Sequence, residues 1–409
     1  MNAIQKYKDR VKQYGRKYVW SVILRNKVYI PLNSSILNLC KHLFHNTEPH
    51  KTIVIESHND FDCNGGAIYD YLISNDYNKT YKIIWLLKHE SPKNLPTNVH
   101  CFNIWKPSLR KSYYISTAKY SFADDVITPK INQHQTLIYC THGGVTFKNV
   151  KGKVVVPDFV DYILSSSANY DPYMCSNYSI PYPNNRMLHF GFPRHDIFYT
   201  DTENEFKKIT EKEYDKVILW MPTFRKGGSS FERNDSDSVQ PLGIPIFKTE
   251  DELKLLNDYL IANNCYLIIK IHPMQDITTY QSLHGSSNIK ILDSASIKEL
   301  NIDNYRLMKY SDALISDYSS AAYSFLLLDR PLAFVLDDID TYSVGFLVDN
   351  FEDFLPGEKL YNIDEFLAFI KNVKEGKENY KNDRNKLKDW IYENTSGDST
   401  EKLFQYLKM

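Results

Sequence analysis

Short β-branched runs alternate with amphipathic segments along most of the chain after residue 50. The segment GGAIYDYLISN, from Gly65, has the apolar spacing of a helix, and similar segments separate several of the runs. Alternation of strands with helices favours a parallel sheet covered on both faces, and therefore an α/β fold. The predicted strands of this first part are TIVIES (52–57), KIIWLL (82–87), HCFNIW (100–105), KYSFAD (119–124), TLIYCTH (136–142), YILSSS (162–167) and MLHFGFP (187–193).

The pattern restarts after a highly charged stretch, TDTENEFKKITEKEYD (200–215), which we interpret as the crossing between two domains. A chain of 409 residues is also long enough for two domains. The sequence predicts a basic helical segment at 1–50, Rossmann-like domains at 51–200 and 216–380, and a helical tail at 381–409. Residues 227–245 form a polar loop that we expect to be mobile. The later predicted strands are KVILWMP (216–222), YLIIKIHP (266–273), IKIL (289–292), DALISD (312–317) and PLAFVLDD (331–338).

The overall composition is that of an ordinary globular protein. The net charge is −1, which gives no preference for nucleic acid. No apolar run is long enough to span a bilayer, and the N-terminus has no signal-peptide pattern. The six cysteines show no C-x-x-C spacing, so we expect reduced thiols in a cytosolic protein.

The N-terminus carries a local excess of basic charge. Residues 6–27 contain eight Lys or Arg residues and one acid, Asp9, with tyrosine and valine recurring at helical spacing. This pattern predicts a basic amphipathic helix, which either lies on an anionic membrane surface or packs on its own domain.

Polar side chains follow the ends of several predicted strands, where open α/β sheets bind their ligands. After TLIYC, His142 is a candidate general base, and Gly143 lets a ligand approach the backbone closely. After MLHF, Arg194 offers a planar donor for phosphate, and Asp196 either orients that arginine or caps a helix. Each of these residues has an ordinary structural alternative, a turn or a surface ion pair.

The second half carries the same kind of strand-end residues. Thr223 and Arg225 follow one strand and are candidates for binding an oxygen and a diphosphate, and His272 follows the next as a phosphate or leaving-group partner. Ser319 and Ser320 begin a helix, where hydroxyl groups either cap free N–H groups or help to bind an anion. Because Asp317 would repel a phosphate, we expect it to bond a hydroxyl or to orient the loop. Together these positions suit a diphosphate-linked substrate.

Several other site types are not supported. Neither a dinucleotide-binding glycine fingerprint nor a P-loop is present. No Glu occurs between Glu299 and Glu352, so the paired glutamates of many retaining nucleotide-sugar transferases are missing. Asp235, Ser236 and Asp237 superficially resemble a metal-binding pair, but we expect them to be solvated in the polar loop. The sequence therefore predicts no metal site.

The ordered series of motifs resembles the CDP-glycerol:poly(glycerophosphate) glycerophosphotransferases of teichoic acid and capsule assembly. The stretch THGGVTFK is similar to the family's W-H-G-T-P-L-K, GFPRHD to G-x-P-R-x-D, MPTFRKG to P-T-[FW]-R, and IKIHP to K-x-H-P. SDALISDYSS resembles D-x-L-I-[ST]-D-Y-S-S, and FEDFLPGE resembles the acidic-Pro-Gly segment. The resemblance covers roughly residues 59–397.

This resemblance implies a GT-B-like arrangement of two Rossmann-like domains with a cleft between them. It implies transfer of glycerol phosphate from CDP-glycerol to a hydroxyl of a lipid-linked saccharide, with release of CMP and no cofactor. It also implies peripheral attachment to the cytoplasmic face of the membrane. By matching motif, His142 would be the base, His272 a phosphate-binding or acid partner, and Arg225, Ser319 and Ser320 contacts of the diphosphate region.

The sequence departs from the family pattern at Thr141, at residues 144–146 and at Val344 in SVGF. These changes affect substrate recognition, so CDP-ribitol or another CDP-polyol is an alternative donor. Two other functions fit the same scaffold: an inverting glycosyltransferase that uses a nucleotide-linked sugar, and a noncatalytic membrane scaffold that binds nucleotide or glycan. The joint presence of His142, His272 and Arg225 favours an enzyme.

Overall fold

The computed structural model describes residues 7–8, 11–12, 15–225, 235–236, 238, 240–272, 275 and 286–409. The chain folds into two units. The first unit contains residues 1–142, 154–196 and 398–409, and the second contains residues 143–153 and 197–397. The predicted division at about residue 200 is therefore refined, because the chain also crosses between the units near residues 143, 153 and 397.

The predicted strands form in the expected order. Each buried run is short and rich in β-branched or aromatic side chains, as strands covered on both faces require. The strands are β1 His50–Glu56, β2 Lys82–Leu87, β3 Val99–Asn103, β4 Ala118–Ala123, β5 Thr136–Tyr139, β6 Tyr162–Leu164, β7 Met187–Leu188, β8 Lys216–Trp220, β9 Cys265–Lys270, β10 Ile289–Leu292, β11 Ala313–Ser316, β12 Leu332–Val335 and β13 Glu358–Leu360.

Helices connect most of these strands. The α-helices are α1 Arg16–Leu24, α2 Ile30–Phe44, α3 Cys63–Ser74, α4 Leu109–Thr117, α5 Asp171–Tyr178, α6 Glu250–Ala262, α7 Ser294–Glu299, α8 Asn304–Lys309, α9 Ser320–Phe325, α10 Ile363–Glu375, α11 Lys381–Ile391 and α12 Ser399–Tyr406. A π-helical turn, Arg25–Tyr29, joins α1 to α2. Within the described ranges, no helix combines the length and the apolar character needed to cross a bilayer.

The first unit has a seven-stranded sheet in the order β3-β2-β1-β4-β5-β6-β7. Every neighbouring pair in this order is parallel. Helix α3 starts so close to β1 that a Cβ atom at Gly65 would lie 2.8 Å from the Cβ of Ser57. Glycine at this position therefore lets the helix begin directly beside the strand end.

The second unit has a six-stranded parallel sheet in the order β10-β9-β8-β11-β12-β13. Both sheets have the strand order of a doubly wound Rossmann-like fold, 3-2-1-4-5-6, with a further strand in the first unit. Helix α6 begins at a capping box formed by Thr249 and Glu252, and it buries Leu253, Leu256 and Leu260 against the core.

Two features of the second unit differ from the sequence-based expectations. Strand β13 was not predicted, because its segment is short and follows a Pro-Gly pair. In the predicted loop 227–245, residues 227–234, 237 and 239 lie outside the described residues. Part of the remaining segment contributes to the hydrophobic core, because Leu242 and Ile244 are buried with the side chains beneath α6.

The segments at the two ends of the chain pack on the first unit. Helix α2 lies on α4, where the Phe44 and Tyr113 rings are 5.5 Å apart. Helix α12 buries Leu403 and Phe404, and the Phe404 ring contacts Tyr71 of α3. The predicted helical tail is therefore divided, with α11 in the second unit and α12 in the first.

Candidate functional site

His142, the candidate base, is half-buried beyond the carboxyl end of β5. Its backbone N–H donates to the carbonyl of Asp124, which follows β4, over 3.0 Å. The preceding residue, Thr141, has φ of +60°, a left-handed conformation that is uncommon for threonine. The chain therefore turns sharply just before the histidine and directs it away from the strand.

Arg194 holds this turn. The side chain is 3% exposed, and its Nη1 donates to the carbonyl oxygens of His142 at 2.7 Å and Thr141 at 3.1 Å. The same nitrogen lies 3.4 Å from Cys63 Sγ. These contacts are with protein groups, so they favour a role for Arg194 in positioning His142 over the predicted direct contact with phosphate.

A buried amide and carboxylate tie the start of α3 to the same strand ends. Asn64 Nδ2 donates to Asp124 Oδ1 at 2.6 Å and to the carbonyl of Cys140 at 3.0 Å. The Asn64 backbone N–H donates to Asp124 Oδ2 at 3.1 Å. Sequence reasoning missed both residues, although Asp124 is the last residue of the predicted strand KYSFAD and therefore lies at a strand end.

A second buried acid lies at the end of β1. Glu56 Oε2 accepts the backbone N–H groups of Asp125 and Val126, each at 2.9 Å, and Oε1 lies 3.0 Å from Lys88 Nζ. Burial raises the pKa of Glu56 to about 7, and Lys88 opposes that shift. Lys88 Nζ also contacts Asp125 Oδ2 at 2.7 Å and the carbonyl of His58 at 2.7 Å.

His58 brings a second imidazole to this site. It follows β1 by two residues, and its ring stacks on that of His142 with centroids 3.6 Å apart and planes 14° apart. Cys63 Sγ lies 3.8 Å from His142 Nδ1. His58 was also missed, although it directly follows the predicted strand TIVIES.

In the second unit, Arg225 is enclosed by acids and is 1% exposed. Its Nη1 pairs with Asp317 Oδ2 at 2.6 Å, and its Nε pairs with Asp338 Oδ2 at 2.7 Å. Burial acts to lower the pKa of Arg225, but the two carboxylates outweigh burial and raise it. This charge is already compensated by protein groups, which favours a structural role over the predicted binding of a diphosphate.

Thr223 and Asp317 belong to the same network. Thr223 Oγ1 donates to Asp317 Oδ1 at 2.6 Å, and its backbone N–H donates to Asp317 Oδ2 at 2.7 Å. Asp317 therefore bonds a hydroxyl and orients the loop after β8, as expected from the sequence. Asp338, which was not predicted, also accepts a hydrogen bond from the Tyr318 hydroxyl at 3.0 Å.

His272 and the two serines follow β9 and β11, the two strands that flank β8 in the second sheet. His272 is half-buried after β9, with its ring 5.0 Å from that of Phe224, and Pro273 lies outside the described residues. Ser319 caps α9 by accepting the Ala321 N–H at 3.3 Å, and both Ser319 and Ser320 are half-buried. The capping role is thus observed, and anion binding stays a prediction.

The loop after His142 belongs to the second unit. Phe147 is buried there, and its carbonyl accepts the N–H of Leu347 at 2.8 Å. Lys148 bridges to Phe346, and the Asn149 N–H donates to the Gly345 carbonyl at 3.0 Å. Two of the departures from the family pattern are residues 144–146 and Val344. The residues that directly follow each of them therefore pair with one another. Gly143 is at the start of this loop.

The acidic residues of the polar loop require one correction. Asp235 and Ser236 are each 2% exposed, so they are not solvated as expected. The Asp235 N–H donates to the Arg225 carbonyl at 2.9 Å, which draws the residue into the buried network. Asp237 lies outside the described residues. Over the ranges that the structure describes, no group of three His, Cys, Asp or Glu side chains is arranged to hold a metal ion.

A family model described as CDP-Glycerol:Poly(glycerophosphate) glycerophosphotransferase matches residues 39–408. The chain belongs to this family. The match includes both sheets and every candidate site residue, and it confirms the resemblance drawn from the motif series.

Individual relatives agree with this glycerophosphotransferase assignment. The chain is 27% identical to the teichoic acid poly(glycerol phosphate) polymerase of Bacillus spizizenii, over 87% of this chain and 92% of that protein. It is 25% identical to the ribitol-phosphate polymerase TarK of Staphylococcus aureus, over 83% of this chain and 65% of that longer protein.

The solved structure of the wall teichoic acid polymerase TagF has the same fold. It superposes with a TM-score of 0.71 and 20% identity, over 100% of this chain and 98% of that chain. A TagF variant soaked with CDPG superposes with a TM-score of 0.68. These similarities confirm the α/β fold with two Rossmann-like units.

Proposed function

We propose that this protein transfers glycerol phosphate, or a related polyol phosphate, from a CDP-linked donor to a hydroxyl of a teichoic-acid-type acceptor and releases CMP. The observation that carries the proposal is the family match over residues 39–408. The names of the relatives include both glycerol-phosphate and ribitol-phosphate polymerases, so both polyols are candidate donors. We further propose a lipid-linked saccharide as the acceptor and no cofactor beyond the donor.

In the proposed reaction, the acceptor hydroxyl oxygen attacks the phosphorus that carries the polyol. A phosphodiester bond forms, the bond from that phosphorus to the bridging oxygen breaks, and CMP leaves with that oxygen. The hydroxyl proton passes to His142 and then to solvent. Because phosphoryl transfer depends on positioning and on compensation of phosphate charge, the other residues need only to orient the reactants and to stabilise the leaving CMP.

We assign the remaining predicted residues to two roles. His272, Ser319 and Ser320 are half-buried, and they are the proposed contacts of the donor phosphates, with Gly143 allowing close approach of a substrate. The buried residues Arg194, Thr223, Arg225 and Asp317 are proposed to hold the loops that carry those contacts, since their observed bonds are to protein groups.

A donor assay tests the reaction. The full chain is incubated with CDP-glycerol or CDP-ribitol and a lipid-linked saccharide that bears polyol phosphate, and CMP is measured by chromatography. We expect acceptor-dependent CMP release, and a loss of about 100-fold or more in His142→Ala, the usual contribution of a general base. The matched control is His134→Ala, which changes an exposed histidine before the same strand. Release of UDP from a sugar donor, with no CMP from either CDP-polyol, would support a glycosyltransferase instead.

We also propose peripheral attachment to the cytoplasmic face of the membrane through the N-terminal helices. No Asp or Glu occurs between Asp9 and Glu48. One side of α1 and α2 packs on the protein, with Val19 and Cys40 buried, and large apolar side chains on these helices are exposed. Basic charge combined with exposed apolar side chains suits an anionic lipid surface. The exposed apolar residues are Tyr18, Trp20, Leu24, Val28, Ile30, Leu32, Leu39 and Leu43.

A further inference from the structure

The rings of His58 and His142 form a stacked pair in the first unit. Its ring centroids are 3.6 Å apart, closer than the 4.5–7 Å that is typical of aromatic pairs. The planes differ by 14°, so the faces of the two rings lie against each other. The face of His142 that His58 covers is closed to other groups, and rotation of either ring requires movement of its partner.

The sheet explains why the two histidines meet. In the strand order, β4 lies between β1, which precedes His58, and β5, which precedes His142. Both loops therefore converge at the carboxyl end of β4. His142 is fixed there by its N–H bond to the Asp124 carbonyl, and the His58 carbonyl accepts a bond from Lys88 at 2.7 Å. Each histidine is therefore held by its own backbone contact, and together these contacts keep the two rings opposite each other.

The charged groups around the two rings differ. His58 Nδ1 lies 3.8 Å from Asp125 Oδ2, a carboxylate that Lys88 also contacts, whereas the guanidinium of Arg194 is bonded to the His142 carbonyl. Two imidazolium rings in contact repel each other strongly, so the pair holds one proton at most near neutral pH. A cation lies against the backbone carbonyl of each histidine, Lys88 at His58 and Arg194 at His142, so the Asp125 carboxylate 3.8 Å from His58 Nδ1 is the difference that places the proton on His58. Of the other titratable groups, Cys63 Sγ lies 3.8 Å from His142 Nδ1, and Asp124 and Asp62 add to the burial that raises the pKa of Cys63. Glu56 pairs with Lys88, which contacts the His58 carbonyl.

We propose that His58 is a positioning residue for His142: its ring fixes the plane of the candidate base, and the proton it holds beside Asp125 keeps His142 neutral and able to accept the acceptor's proton. The inference rests on the proposed function, which gives His142 its role as base. It adds that the second imidazole belongs to the machinery of the site without contacting the substrate.

Two substitutions separate the contributions of His58. His58→Phe keeps a flat ring against His142 and removes the charge, whereas His58→Ala removes both. The matched control is His134→Phe, at an exposed histidine of the same unit. The first readout is the pH titration of the His142 imidazole, followed by NMR of labelled histidine in the free protein, so it needs no turnover. The second is the pH profile of kcat/KM for CMP release.

In His58→Phe we expect His142 to titrate about one pH unit higher than in the unmodified protein, because a neighbouring positive charge has been removed. The acid limb of the kcat/KM profile should move upward with it, while the rate at high pH stays within about threefold. In His58→Ala the rate should also fall about tenfold at every pH, with circular dichroism confirming the fold, because the base is no longer held in plane.

An unchanged His142 titration in His58→Phe would overturn the charge assignment, and wild-type rates in His58→Ala would overturn the positioning role. Absence of CMP release from the unmodified protein would reject the proposed function instead. The NMR titration would then still decide whether His58 controls the charge of His142.

Discussion

Arg225 is the residue whose surroundings differ most from its expected role. As an arginine just after a strand, it has the chemistry to bind a diphosphate, yet Asp317 and Asp338 occupy its guanidinium and Tyr318 and Tyr342 lie within 5.1 and 5.9 Å of it. A buried arginine with two carboxylate partners joins three separate loops, so its removal leaves two acids without compensation in an apolar environment.

We therefore predict that Arg225→Met lowers the stability of the second unit by about 3 kcal/mol, as expected when one member of a buried ion network is removed. The matched control is Lys254→Met, because Lys254 and Asp258 form an exposed pair on α6 whose contribution to stability should be small. Urea unfolding followed by amide hydrogen exchange in peptides from β8 and β9 of the second unit measures both. Equal unfolding midpoints for the two variants, with a raised KM for the CDP-linked donor in Arg225→Met, would return Arg225 to the role of phosphate ligand.

The residue types at the strand ends could be predicted from the sequence, but their partners could not. The pattern located His142, Thr223, Arg225 and Asp317, because a polar residue that follows an apolar run can be recognised from the sequence alone. The bond between Arg225 and Asp338 joins positions 113 residues apart, and no local pattern encodes it. The same limit hid Asn64 and His58, whose importance depends on which loops meet at the end of β4.

At the scale of elements, the alternation of apolar runs was sufficient to place most strands. KIIWLL coincides with β2, whose apolar residues are all buried, and IKIL coincides with the edge strand β10, where Ile289 and Leu292 are buried and Ile291 is half-buried. The interpretation was least complete at the N-terminus, where the pattern allowed a helix on a membrane or on its own domain. In the structure, one side of these helices packs on the protein and large apolar side chains are exposed, and the contact with a membrane stays a prediction.

We predict that Leu39→Ser combined with Leu43→Ser weakens sedimentation of the full chain with phosphatidylglycerol vesicles, because each change removes an exposed apolar side chain from the proposed membrane contact. The matched control is Leu255→Ser with Ile261→Ser, on α6 of the second unit, where the leucine is 51% and the isoleucine 50% exposed. Binding should also fall with added salt and with neutral phosphatidylcholine vesicles. Equal sedimentation of the two double variants would leave α1 and α2 as a purely structural part of the first unit.

At the scale of the whole molecule, the path of the chain between the units was the least predictable property. A change in composition at 200–215 indicated one crossing, but the structure has the loop 143–153 in the second unit and the segment 398–409 in the first. Asp196 helps to explain why the C-terminal segment belongs to the first unit. Its carboxylate accepts hydrogen bonds from the N–H groups of Ser399 at 2.9 Å and Thr400 at 2.8 Å and so caps α12. This was one of the two roles expected for Asp196, and its partners lie about 200 positions away, beyond the reach of local patterns.

The C-terminal helix α12 should therefore stabilise the first unit. Phe404 is 1% exposed, and its ring lies 4.9 Å from Tyr71 of α3 and 5.8 Å from Phe122 of β4. We predict that Phe404→Ala costs the first unit about 3 kcal/mol and speeds amide hydrogen exchange in α3 and β4, with no change in α6 and β9. Gln405→Ala, at the exposed neighbouring position, is the matched control and should leave exchange unchanged in both units. Faster exchange in α6 and β9 of Phe404→Ala, measured by mass spectrometry of the corresponding peptides, would contradict the assignment of α12 to the first unit, because the loss of a buried ring destabilises the core into which it packs.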